Sequence, residues 1–161
     1  MSYESIFKPD LFQNKLVVVT GGGSGIGRCT AHELAALGAT VVITGRQAEK
    51  LENVATEIES DGGAVDFLAF DIRDGVAVAE QVDEILRRHG KIDGLVNNAG
   101  GQFPARLEDI SQNGWNAVIA TNLTGGFLVS REVYKQWMKG NGGSIVNIIA
   151  DMWRSMVEMG H

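Results

Sequence analysis

Residues 15–28 read KLVVVTGGGSGIGR: a β-branched run enters a stretch with five glycines in seven residues and leaves it in helical period. Only a strand, a tight turn and a helix accommodate that order. β-Branched side chains suit a pleated surface, and glycine suits positive φ and close backbone approach. The same alternation continues down the chain. Strands are predicted at 15–20, 40–44, 64–70, 93–97 and 143–149, and helices over Ile26–Leu37, Ala48–Ser60 and Val76–His89, with a longer one from Gly114 to Lys139. Strands alternating with helices of this length imply βαβ units and a parallel sheet. Right-handed crossovers and short connections make it an α/β, doubly wound sheet, with ligands expected at the carboxyl ends of strands where winding reverses. Gly38 and Gly90 stand where helix C-caps belong, and Asp74 where the third helix would take its N-cap.

Composition closes off other classes. At 161 residues the chain suits a single domain. Its formal charge is −6, and Lys and Arg are scattered, which argues against nucleic acid as partner. Apolar runs are strand-length, so no membrane span is expected. The single cysteine, Cys29, fits a reducing compartment, and a cytoplasmic protein is the expectation. His32, His89 and His161 do not cluster with Cys or carboxylates at ligand spacing, so no metal site is expected.

The glycine loop matches neither GxGxxG nor GxxxxGK[ST]. It fits GxxxGxG through Gly21, Gly25 and Gly27, with Ile26 between the last two. A helix N-terminus offers unpaired N–H groups and a positive dipole end to a pyrophosphate, and Ser24 can add a hydroxyl. A tight turn without ligand would also use glycine, but five glycines exceed what a turn needs.

TGGGSGIG (20–27), NNAG (97–100) and Asn122 in TNLTG, taken in this order, resemble the short-chain dehydrogenase/reductases over about Lys15 to Ile149. The resemblance implies a Rossmann-like sheet in order 3-2-1-4-5, a nicotinamide cofactor and hydride transfer. It places Asp71 and Ile72 beside adenine, and Asn122 at the position of a catalytic asparagine that organises a water next to a lysine. It also implies self-association through the long helix. The residues allow plainer roles: Asn97 and Asn98 suit turn chemistry, and Asn122 interrupts an apolar stripe of Trp115, Val118, Ile119, Val129, Val133 and Trp137, where a buried amide needs partners. At the fourth strand's end Asn97 and Asn98 face the expected crevice, which gives both a binding role, and Ala99 and Gly100 leave room for a ribose. With Asp74 as cap, Asp71 is a spare carboxylate able to accept from an adenine amino group. Gly125 and Gly126 in mid-helix predict close packing or distortion.

The second strand ends in Gly45 and Arg46 where NAD-type pockets place Asp or Glu. A carboxylate would repel a 2′-phosphate, whereas Arg46, assisted by Lys50, can pair with one; NADP rather than NAD is expected.

Departures from the family pattern bear on catalysis. Ala150 stands where a serine is common, and YxxxK occurs nowhere; Tyr3 and Tyr134 lack a lysine four residues on. The expectation is a cofactor-binding but catalytically incomplete chain, cut short after the fifth strand. GGQF, TNLTG and GGSIVNII resemble the enoyl-thioester branch, the peroxisomal trans-2-enoyl-CoA reductases, where those positions are altered. A small-molecule substrate, an acyl-CoA in that branch, follows. A non-catalytic dinucleotide-binding module and a conventional carbonyl reductase stand as alternatives. Asp151 near the expected site suits a helix cap as well as a proton donor, and Met152, Met156 and Met159 share a spacing that suits core packing or a lid.

Overall fold

A computed structural model of the protein describes residues 4–150; Tyr3, Asp151, Met152, Met156, Met159 and His161 lie outside the described residues. Strand β1 (Leu16–Thr20), helix α1 (Gly25–Ala36), β2 (Thr40–Gly45), α2 (Ala48–Ser60), β3 (Ala64–Ala69), α3 (Gly75–His89), β4 (Gly94–Asn97), a long helix over 112–141 and β5 (Ser144–Asn147) follow in that order. The strands form one parallel sheet, β3-β2-β1-β4-β5, with Leu16 opposite Thr40, Val17 opposite Gly94 and Gly94 opposite Ser144. This is the doubly wound order read from the sequence.

All five residues of β1 are buried, because strands lie on both sides of it and helices cover both faces. Period-two alternation divides them. Leu16, Val18 and Val42 join Val78, Val82, Ile85, Val129 and Val133 on the α3 side. Val17, Val19, Val41 and Ile43 join Ala31, Ala35, Leu51, Val54 and Ile58 on the α1–α2 side. The chain thus crosses from one face to the other between β3 and β4, leaving a crevice above β1 and β4.

Local chemistry sets the helix ends. The Asp74 carboxylate accepts from the amides of Val76 and Ala77 at 3.0 and 3.1 Å, and Gly90 closes α3 at φ 77°. The long helix starts earlier than its periodicity predicts, since the Ser111 hydroxyl accepts from Gly114 N–H at 3.0 Å and caps it. Within it Ile119–Gly125 and Tyr134–Met138 are wound as π-helix. Gly125 marks the first distortion: a Cβ there would stand 2.6 Å from the Ile72 side chain. The i→i+5 winding shifts the phase of the helix, so the expected apolar stripe does not hold one face. Val129 and Val133 are buried, whereas Trp115 and Asn122 are exposed. β5 is also shorter than its apolar run, because its partner β4 ends at Asn97; one further bond, Ile148 N–H to the Asn97 carbonyl at 2.9 Å, follows the last pair.

Candidate functional site

Above the carboxyl ends of β1, β2 and β4 lies a cleft of about 290 Å³. Its floor is the glycine loop. Gly21 has φ +69°, and a Cβ on it would stand 2.9 Å from the Ala99 Cα and from the Asn98 amide nitrogen. Gly27, one turn into α1, is packed as closely: its Cβ would overlap the Gly21 carbonyl and the Asn98 amide. Gly25 (φ +55°) has open space before it, with nothing within 4 Å of where its Cβ would be. The loop therefore presses against the β4 end on one side and is bare on the other.

Thr20 fastens that contact. Its hydroxyl accepts from the backbone N–H groups of Asn98 and Ala99, both at 3.0 Å, and donates to the Val96 carbonyl at 3.4 Å. The Asn98 amide returns from β4 to donate to the carbonyls of Thr20 (2.9 Å) and Gly21 (3.3 Å). These bonds join residues some 78 apart in sequence, with no local pattern to announce them.

The start of α1 is chemically unfinished. Ser24 is its N-cap residue yet makes no side-chain capping bond, and the first turn carries no acidic residue. Its leading N–H groups and dipole end are left for an anion. Around the mouth stand Arg46, Lys50 and Arg73 with one carboxylate, Asp71, so the lining is positive in a chain of net charge −6. Arg46 and Lys50 are exposed and make no hydrogen bond or ion pair among the described residues. Asp71 is not spare as expected. Arg73 grips it, with Nε 3.0 Å from both carboxylate oxygens, Nη2 2.5 Å from Oδ2 and the backbone N–H 3.0 Å from Oδ1. The Arg73 fork holds the Asp71 carboxyl below the usual range, and the charge of Arg46 adds to it.

Of the residues singled out from sequence, Gly21, Ser24, Arg46, Asp71, Ile72, Ala99 and Gly100 line this one cleft. Gly25, Ile26 and Gly27 form the adjoining start of α1, where Ile26 is 63 % exposed. Asn97 points elsewhere. Its amide donates to Ser130 Oγ at 2.7 Å and Asn147 Oδ1 at 2.9 Å, tying β4 to the long helix and β5, while its own Oδ1 is buried without a partner among the described residues. Period two explains the reversal: neighbouring strand residues face opposite ways, so Asn98 rather than Asn97 turns to the glycine loop. Asn122 is exposed instead of buried. Its Nδ2 donates to the carbonyls of Gly101 (2.7 Å) and Val118 (3.0 Å), and its Oδ1 accepts from Gly101 N–H at 3.1 Å. It fastens the loop after β4 to the long helix, beside the cleft residues Gly100 and Thr121. Thr20, Arg73 and Thr121 escaped the sequence reading of the site, and Asn98, expected at the crevice, serves there through its bonds to the glycine loop.

The family model described as short chain dehydrogenase matches residues 15–157. A peroxisomal 2,4-dienoyl-CoA reductase of Danio rerio is 37 % identical over 151 residues, covering 93 % of this chain and 50 % of that protein. Among solved structures, a citronellol catabolism dehydrogenase of Pseudomonas aeruginosa PAO1 is 59 % identical with a TM-score of 0.91, covering 97 % of this chain and 64 % of that one. An actinorhodin polyketide ketoreductase variant with NADPH superposes with a TM-score of 0.85 at 33 % identity, covering 89 % of this chain and 56 % of that one. The chain spans about half the length of the curated relatives it matches.

Proposed function

Because the chain belongs to the short-chain dehydrogenase family, we propose that it is the NADP-binding part of an oxidoreductase that moves hydride between NADPH and a small carbon-chain substrate, the C=C of an enoyl-CoA thioester in the first instance. The observation that carries this is the cleft: an uncapped helix start behind a glycine cradle, with Arg46 and Lys50 unpaired at its mouth. A dinucleotide fits these residues. The amides at the start of α1 and the Ser24 hydroxyl would hold its pyrophosphate, and Arg46 with Lys50 the 2′-phosphate that distinguishes NADP from NAD. Ile72, Asn98, Ala99 and Gly100 would line its adenosine and ribose. Asp71, held ionised by Arg73, is an acceptor of fixed orientation for an amino group. The bound nicotinamide supplies the hydride. Asn122, bonded to Gly101, sets the position of the loop after β4 beside the cleft residue Gly100.

The 2,4-dienoyl-CoA reductase relatives support the thioester. A second reading, a dehydrogenase of an apolar alcohol, is favoured by the greater identity to the citronellol catabolism dehydrogenase. The 161 residues contain no YxxxK, so we assign cofactor binding to them and expect no turnover from these residues alone. We further place the protein in the cytoplasm, where the exposed Cys29 stays reduced. Among the described residues no helix is long and apolar enough to cross a membrane. Self-association through the long helix fits its outward Leu123, Phe127 and Tyr134, 65, 57 and 52 % exposed.

Titration with NADPH and NADH, followed by tryptophan fluorescence, tests the assignment. NADPH binds more tightly, and Arg46→Ala narrows the gap by about tenfold, the order of one charge-assisted phosphate contact. Equal affinities in the unaltered protein refute NADP preference. Fluorescence titration of the NADPH-loaded chain with an enoyl-CoA and with citronellol distinguishes the two substrate classes.

A further inference from the structure

Beyond the cofactor cleft the loop 101–111 folds over the first turns of the long helix and encloses a second cavity of about 190 Å³. Phe103, Ile110, Gly114, Trp115, Val118 and Ile119 line it, and none brings a charged group. Gly114 is what lets the loop come so close. It is buried, and a Cβ on it would stand 2.6 Å from the Phe103 ring. The rim is wet: Phe103 is 43 % and Trp115 47 % exposed. An apolar cavity of about 150 Å³ stays free of water and takes up a benzene-sized hydrocarbon, so this one suits about six to eight carbons.

Its placement gives the hydrocarbon an identity. Asn122 forms the seam between the two spaces: it bonds Gly101 at the root of the loop and the carbonyl of Val118, a lining residue of the cavity. Thr121, its neighbour, lines the cofactor cleft, about one helical turn from Val118. We infer that this cavity holds the hydrocarbon part of the substrate, a straight or methyl-branched chain whose reacting end lies at the Gly100–Asn122 end of the cleft. The inference rests on the oxidoreductase reading above and names the part of the substrate that these residues select.

Titration of the full chain with n-alkanols from butan-1-ol to dodecan-1-ol, followed by Trp115 emission with Trp115→Phe as control, tests it. Affinity rises about fourfold per methylene and levels off beyond about eight carbons. Val118→Phe and Ile110→Phe, which fill the cavity from helix and loop respectively, weaken octan-1-ol at least tenfold, while NADPH titration of the same folded variants is unchanged. Two variants on different elements guard against one misfolding, which circular dichroism reports. Octan-1-ol that does not saturate, or that binds both variants as before, overturns the inference even where NADPH binds. Variant-sensitive octan-1-ol binding without NADPH binding leaves the hydrocarbon site standing and removes the oxidoreductase reading.

Discussion

Gly21 combines two constraints, a backbone at φ +69° and a neighbour, Ala99 Cα, 2.9 Å from where a side chain would begin. Alanine there costs about 1–2 kcal/mol for the left-handed conformation alone, and the overlap with fixed backbone adds to it. Gly21→Ala is expected to lower the urea midpoint and to abolish NADPH binding, whereas Gly25→Ala, whose side chain would enter open space, affects binding more than stability. Unfolding and titration of both proteins check this. Arg73→Ala tests the carboxylate it grips: Asp71 is released, its pKa rises toward the ordinary range, and affinity for NADPH falls as the lining loses one of its positive charges. The glycines were readable because backbone freedom is written in residue type. Asp71 was misjudged as spare because its partner, two residues on, is an ordinary arginine whose direction no local pattern gives. Thr20 stayed hidden, and with it the partners of Asn98, because their bonds close only when distant strands lie side by side.

Helix ends and interiors were legible to different degrees. Asp74 advertised its cap, and Asp74→Ala is expected to cost about 1 kcal/mol, read as a lower urea midpoint at unchanged slope. The long helix was legible as helix, and its paired glycines as a point of stress, but not as two π segments separated by α-helix. Periodicity assumes a constant turn, and each π segment breaks that assumption, which is why Asn122 emerged on the exposed side. Gly125 and Ile72 form the contact that accompanies the first segment. Gly125→Ala is expected to destabilise by about 1–3 kcal/mol through overpacking. Ile72→Ala opens the space it needs, so the double variant loses less than the two single losses together.

At the scale of the molecule, one sheet separates two apolar layers, and its central strand carries the site. The doubly wound class was legible from alternation and crossover handedness, and the strand order from the family resemblance; the exposed β5 was not, since its apolar sequence reads like a covered strand. Carboxylates tie the outer parts together. Burial alone would raise the Asp93 pKa, but the Leu16 N–H at 2.9 Å and the ammonium groups of Lys91 and Lys15 outweigh it and lower it. For Asp66 burial is likewise outweighed, by His89, Arg88 and the Phe67 amide. A folded pKa below the unfolded value of about 3.9 contributes stability that is present above that pH and is lost as pH falls through the lower folded value. The urea midpoint is therefore expected to fall steeply below about pH 4, and Asp93→Ala to lower it at neutral pH while flattening that acid limb.

The Thr20 hydroxyl, shared by the N–H groups of Asn98 and Ala99, has a consequence for exchange with deuterated solvent. Both amides belong to a loop by position, yet they are freed only when the ends of β1 and β4 part. They should therefore exchange on the timescale of the sheet's opening, and Thr20→Val should bring them to that of a loop while the rest of β1 stays protected.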